Sequence, residues 1–212
     1  MKKILIAFLM FAFLGGTACL AQKHTFTVKC GKQESKIQFN EEVGRTSYFL
    51  QIVIGSKDAS HLMDSHMQTT SWHVVDPGED SDFTIVLKDG WFVYSGKFKG
   101  KTLDKKVKSE GLPWYQHIGY VAGHVLKENE KVKFVCVRPT DLKIFPMTAE
   151  ISGPEAIGCY KDAICTKVLP AGALARFWSS YYYFDPVKRN FVGYHAVEGG
   201  PGTPESFWIL DK

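Results

Sequence analysis

Asp82-Phe83-Thr84-Ile85-Val86-Leu87-Lys88-Asp89-Gly90-Trp91-Phe92-Val93-Tyr94-Ser95-Gly96-Lys97-Phe98 is the stretch that decides the fold. Two short runs of β-branched and aromatic residues flank Asp-Gly, the dipeptide that best tolerates the two positive φ angles of a tight hairpin. Similar runs recur at Ser47–Ile54, Val132–Val137, Ala163–Leu169, Phe177–Phe184, Phe191–Val197 and Ser206–Leu210, with Gly, Pro or Asp between most of them. The spacing predicts an antiparallel meander. Gly199-Gly200-Pro201-Gly202-Thr203-Pro204 reads as a loop before the last strand, and no internal repeat or linker divides the chain.

One segment departs from the strand pattern. From Pro113 onward, Trp114, Ile118, Val121, Ala122 and Val125 fall on one face at helical spacing. Pro113 suits a first turn and Lys127 a last one, so the sequence predicts a helix from Pro113. Its apolar face must dock on the sheet, because so short a helix is unstable alone. Gln116 and His124, off that face, are expected to tolerate exchange by comparison with Ile118→Asp, which would place an unpaired charge in apolar surroundings. The predicted fold class is mainly β (α+β), a curved antiparallel sheet with a covering helix laid against its concave side or edge.

At the other end of the chain, Lys2 and Lys3, an apolar run from Ile4 to Leu14 and a small-residue exit ending at Ala21 have the order of a secretory signal. The expected domains are a signal peptide over 1–21 and a single exported β-rich domain over 22–212. Gly16-Thr17-Ala18-Cys19 offers a second route, lipidation at Cys19, in which membrane contact would come only through that anchor. Gly16 stands where such motifs carry leucine, which favours a free periplasmic or secreted product. Cleavage after Ala21 lowers the formal charge from +4 to +2, too near neutral to argue for nucleic acid. Lys97, Lys99, Lys101, Lys105, Lys106 and Lys108 read as a solvated strand or hairpin face.

Cys30, Cys136, Cys159 and Cys165 follow the leader. Export permits disulfides, and an even count suggests pairing. Lys161-Asp162-Ala163 is a plausible turn, across which Cys159 and Cys165 are expected to bridge. Cys30 and Cys136 would be the remaining pair.

His61-Leu62-Met63-Asp64-Ser65-His66-Met67, with His73 beyond, collects imidazole and thioether groups of the kind that suit copper. In an extended strand His61 and His73 lie ~40 Å apart and cannot share an ion unless the chain turns back. No metal site or cofactor is expected from this segment. Residues 22–212 contain no G-x-S-x-G elbow, no H-E-x-x-H pair and no glycine-rich phosphate loop, and no catalytic residue is nominated.

The order of several features resembles a known family. Gly90-Trp91-Phe92-Val93-Tyr94 stands in a hairpin and Gly111-Leu112-Pro113-Trp114 opens the helix. After the strand Val132–Arg138 come Met147-Thr148-Ala149-Glu150-Ile151-Ser152-Gly153-Pro154-Glu155 and a tyrosine-rich strand running into Phe184-Asp185-Pro186-Val187-Lys188-Arg189. Together these resemble uncharacterised exported domains distantly similar to the periplasmic lipoprotein-localisation (LolA-like) carriers. The resemblance implies a half-barrel whose mouth is covered by helices and encloses an apolar cavity, with lipid or acyl cargo in characterised members. The aromatics beside the hairpin and the helix start, Trp91, Tyr94 and Trp114, together with Ile118, are the expected ligand-lining residues. The functional expectation is a non-enzymatic carrier for an apolar ligand. The alternatives are an envelope interaction module, a secreted hydrolase or a metal-binding protein.

Overall fold

The computed structural model describes residues 20–127, 130–172, 175, 178–197 and 204–211. The leader up to Cys19 lies outside the described residues, as do Phe177 and most of the Gly199–Pro204 loop. The chain forms β1 (Leu20–Cys30), β2 (Gln33–Val43), β3 (Ser47–Ile54), β4 (Lys57–Asp64), β5 (Thr69–Asp76), β6 (Ser81–Lys88), β7 (Trp91–Phe98) and β8 (Lys101–Lys108). A helix α1 (Ile118–Val125) follows, then β9 (Lys131–Val137), β10 (Ile144–Ile157), β11 (Tyr160–Pro170), β12 (Ser180–Phe184), β13 (Phe191–Val197) and β14 (Glu205–Leu210). The mainly β, one-helix architecture expected from the sequence is the one observed.

All fourteen strands belong to one antiparallel sheet ordered β8-β7-β6-β5-β4-β3-β2-β1-β14-β13-β12-β11-β10-β9. It is two meanders joined where β1 pairs with β14, from Phe26 opposite Leu210 to Cys30 opposite Ser206. The decisive hairpin is as read: Lys88 pairs with Trp91, and Asp89 (φ 52°) and Gly90 (φ 75°) supply both positive angles of the turn. The lysine-rich β8 is an edge strand, where charge discourages pairing with another chain.

Alternation puts one face of each strand inside the curve. Phe26, Ile37, Phe39, Leu50, Ile52 and Met63 from β1–β4 meet Ala149, Val168, Phe184 and Phe191 from the second meander. Trp72, Val74, Phe83, Ile85, Phe92 and Tyr94 from β5–β7 meet Val135 and Val137 of β9 through Trp114. A smaller cluster, Ile157, Ala163, Cys165, Tyr183 and Val192, covers the reverse face of the second meander. The tyrosine-rich β12 therefore buries aromatics on both sides, Phe184 inward and Tyr183 outward.

The helix corrects the sequence reading. It starts at Ile118, not Pro113, because the preceding residues are held as extended chain. Trp114 bridges Val135 in parallel; Val135 N–H donates to Pro113 O (2.9 Å) and Tyr115 N–H to Val135 O (3.1 Å). On the other side Thr69 N–H donates to Trp114 O (2.8 Å), so this segment laces the β9 edge to the start of β5. Gln116 completes the seam. Its side chain accepts from Val137 N–H (2.8 Å) and donates to Val137 O (2.8 Å), taking the place of a neighbouring strand's peptide group. It also accepts from Trp114 Nε1 (2.9 Å). The expectation that Gln116 tolerates exchange is overturned by these bonds.

The helix rests on β12 and β13 through Gly119 and Gly123. A Cβ at Gly123 would lie 2.2 Å from Arg189 O, and one at Gly119 2.6 Å from Tyr182 Cδ1, so only glycine permits this approach. Tyr120 ties the helix to the other meander by donating to Glu41 of β2 (3.2 Å).

The expected cysteine pairing is also corrected. The β10–β11 hairpin turns at Gly158-Cys159, with Ile157 opposite Tyr160, and Lys161–Ala163 continue the strand. Cys159 is at the tip and Cys165 lies along β11, separated by roughly 15 Å or more of extended chain, well beyond the ~4.4–6.8 Å between Cα atoms that a disulfide needs. All four cysteines, Cys30 and Cys136 included, are free.

Candidate functional site

The four aromatic and aliphatic positions singled out in the sequence occupy three environments. Tyr94 and Trp114 are fully buried in one cluster, whereas Ile118 belongs to the other cluster beneath the helix. Trp91, on β7, is 42 % exposed. The structure thus brings Tyr94 and Trp114 together and keeps Trp91 and Ile118 apart from them.

A concavity opens beside the Tyr94–Trp114 cluster. Val74 and Trp72 of β5 and Phe83 and Phe98 of β6 and β7 line a recess of about 280 Å³, with Pro139 and Thr140 of the β9–β10 loop opposite. Alternation explains its chemistry: the inward face of β5–β7 is aromatic, while the loop residues at the strand ends supply charge. Lys57 faces Asp76 (3.6 Å) and Lys99 faces Glu79 (3.6 Å), so the rim is largely self-neutralised. Asp76 also caps the 3-10 turn Pro77–Glu79 by accepting from Glu79 N–H, which holds the rim in shape.

Behind the recess runs a series of buried nitrogen atoms. Trp72 stacks on His61 of β4, with ring centres 6.2 Å apart at 19°. His61 meets His117, the residue before α1, edge to face at 5.8 Å. Trp72 Nε1, His61 Nδ1 and His117 Nδ1 are all buried with no hydrogen-bond partner in the protein. Phe39 lies against the other side of His117 at 5.2 Å, with Phe191 at 6.3 Å. Native interiors rarely leave such groups unpaired, which marks this as the interior region most in need of a functional account.

Sequence reasoning passed over this pair because its members are far apart in the chain. The chain does turn back within the His61–His73 segment, but His61 pairs with Trp72 on the inner face while Ser60 pairs with His73 on the outer. His73 faces Asp82 (3.0 Å) on the exposed side. The inner partner is His117, for which strand periodicity gave no signal. No group of three or more His, Cys, Asp or Glu residues capable of holding a metal occurs among the described residues.

Burial sets the protonation of these groups. It pushes His117 down to about 4, and His61 well below the usual imidazole range, an effect the neighbouring His117 adds to. Both rings are neutral at pH 7. In the unfolded chain they regain ordinary values near 6.5, so stability is fully present above that pH and is lost as pH falls toward 4. For His117 alone the expected loss at about pH 5 is ~2 kcal/mol relative to pH 7. Urea unfolding of the parent and His117→Phe across this range checks it: the variant should show a flatter profile, and identical slopes would refute the assignment.

Two of the thiols, Cys136 and Cys165, are poorly suited to nucleophilic work. Burial pushes Cys136 up to about 12 and Cys165 up to about 11, the reverse of what activates a thiol.

No family model and no curated protein matches the sequence. Among solved structures, a β-barrel-like protein of Domain of Unknown Function DUF1849 from Brucella abortus superposes with a TM-score of 0.59 at 7% identity, covering 92% of this chain and 98% of that one. A LolA superfamily protein from Nitrosomonas europaea aligns over 91% of this chain and 84% of its own at 6% identity, but its TM-score is 0.26 and carries no argument. No helix among the described residues is long and apolar enough to cross a membrane. Over nearly its whole length, then, the chain has the β-barrel-like fold of that domain of unknown function, the level at which the half-barrel read from the sequence holds.

Proposed function

We propose that this protein is a non-enzymatic binding protein for a small apolar ligand, exported behind a leader over residues 1–21 and acting in the periplasm or outside the cell. The observation that supports this most directly is the aromatic recess floored by Trp72, Val74, Phe83 and Phe98. Concave, mostly apolar sites with a few polar groups are the common form of small-molecule sites, which run from ~300 Å³ upward. At about 280 Å³ the recess suits one ring or a short acyl chain better than a whole lipid. Tyr94 and Trp114 support its floor from within the same cluster. Each methylene transferred from water contributes ~0.8 kcal/mol, so a fully buried eight-carbon chain supplies ~6 kcal/mol before association costs and millimolar binding is the expectation.

Titration of octanoate and of 1-anilinonaphthalene-8-sulfonate into delipidated protein, followed by tryptophan emission, tests the reading. Saturable binding is expected, weakened ~10-fold by Phe98→Ala, which removes part of the lining and leaves the fully buried core intact. No saturable change, or binding indifferent to Phe98→Ala, would favour the rival reading of an envelope interaction module whose interior is filled by its own side chains.

A further inference from the structure

We propose that His61 and His117 form a buried binding site for a soft monovalent d10 cation, cuprous copper being the biological candidate. The inference is independent of the apolar-ligand reading, since it concerns the interior behind Trp72 rather than the recess in front of it.

The geometry carries the argument. An ion held at ~2 Å by one nitrogen of each imidazole lies about 3 Å from each ring centre. The ring centres are 5.8 Å apart with their planes at 68°, a spacing at which one ion fits between them once ring rotation turns both in-plane Nδ1 lone pairs toward it. Each contributes an Nδ1 that is buried and without a partner in the protein. Leaving such a nitrogen unpaired costs ~1–3 kcal/mol, and replacing either ring by phenylalanine would avoid that cost at similar volume. A ligand that both nitrogens can bind accounts for their presence.

The surroundings select the ion. Phe39, Phe191 and Trp72 close around the pair, and no carboxylate completes a cluster of three metal-binding groups among the described residues. A divalent ion would bring two charges into this apolar interior with only two imidazoles to hold it, whereas zinc asks for four ligands. A soft monovalent ion accepts fewer ligands and favours sulfur. A thioether shares this interior: Met63 lies two residues from His61 on the same inward face of β4, 1 % exposed. Burial also holds both imidazoles in the neutral form that ligates.

Titration of Ag(I), and of Cu(I) under anaerobic reducing conditions, into the purified protein tests the site by the emission of Trp72, which stacks on His61. With the free thiols, which take soft cations themselves, first blocked by alkylation, a single equivalent is expected to bind, with Zn(II) producing no response at the same concentrations. His61→Phe and His117→Phe should each weaken binding by ~100-fold or more, while His66→Ala on the exposed turn leaves it unchanged. Should either phenylalanine variant fail to fold, ¹⁵N chemical shifts of the parent's imidazoles read the ligands directly, and both Nδ1 signals should move on Ag(I) addition. Absence of saturable binding, unchanged affinity in a folded His117→Phe, or ¹⁵N shifts confined to other histidines would overturn the proposal.

Discussion

Gln116→Leu is expected to cost about 3–5 kcal/mol, more than most substitutions at a position that is not fully buried. The removed amide serves three groups at once: Val137 N–H, Val137 C=O and the Trp114 indole N–H. Val137 and Trp114 are 1 % and 0 % exposed, so water cannot replace what is lost. Each orphaned group costs ~1–3 kcal/mol, and leucine returns part of this by burying apolar surface. Gln116→Glu separates the contributions. It retains acceptors for Val137 N–H and the indole, but sets a carboxylate oxygen against Val137 O, and should fall between parent and leucine variant. Urea denaturation reads the effect as a shifted midpoint at unchanged slope. A leucine variant within ~0.5 kcal/mol of the parent would mean that the seam is not held by this side chain.

Gly123→Ala should destabilise by about 2 kcal/mol, against the usual rule. In an exposed helix the change is favourable by ~1 kcal/mol. Here the new methyl would stand 2.2 Å from the carbonyl oxygen of Arg189 and 2.6 Å from the Phe184 ring. A backbone carbonyl on the loop between β12 and β13 cannot swing aside, so the helix must lift from the sheet, and overpacking of this kind costs ~1–3 kcal/mol or more, which outweighs the propensity gain. Gly119→Ala provides the comparison. Its methyl meets only side-chain atoms, at Tyr182 and His117, which can shift, and its cost should be smaller. Thermal melts of the two variants, with helix content followed by circular dichroism, decide the matter; equal or raised melting temperatures would show that α1 is not pressed onto β12 and β13.

The parts of the fold legible in the sequence are those whose determinants are local. Asp89-Gly90 needs no distant partner to impose its turn, and the aromatic runs on either side take their strand character from alternation. Strands that carry a polar outer face are harder to see: Gln33–Val43 buries only Ile37 and Phe39 fully, and its polar majority resembles a loop. Two boundaries were misread because tertiary bonds outweighed local preference. Pro113 is a good helix start, yet its carbonyl is taken by β9, and the helical pattern becomes helix only from Ile118. Lys161-Asp162-Ala163 resembles a turn, but the hairpin closes at Gly158, whose φ of 55° suits glycine, and this separates the two thiols. The interior histidines illustrate the same limit for function. His61 was visible in a suggestive segment, but its neighbour His117 comes from the far side of the fold, and no spacing rule links them.

The order of the sheet bears on how the molecule can assemble. Twelve of its thirteen strand pairings join neighbours in sequence and can form as hairpins with little loop-closure entropy. The thirteenth, β1 with β14, spans Phe26 to Leu210 and unites the two meanders. Until it forms, the Phe26–Cys30 stretch of β1 presents an unsatisfied edge, a template for the wrong strand from another copy. Refolding should therefore show fast acquisition of β signal followed by a slower, concentration-sensitive step. During synthesis that vulnerable edge stays open until the last strand has emerged, so a chaperone that shields β1 would gain the protein more than one that acts on any hairpin.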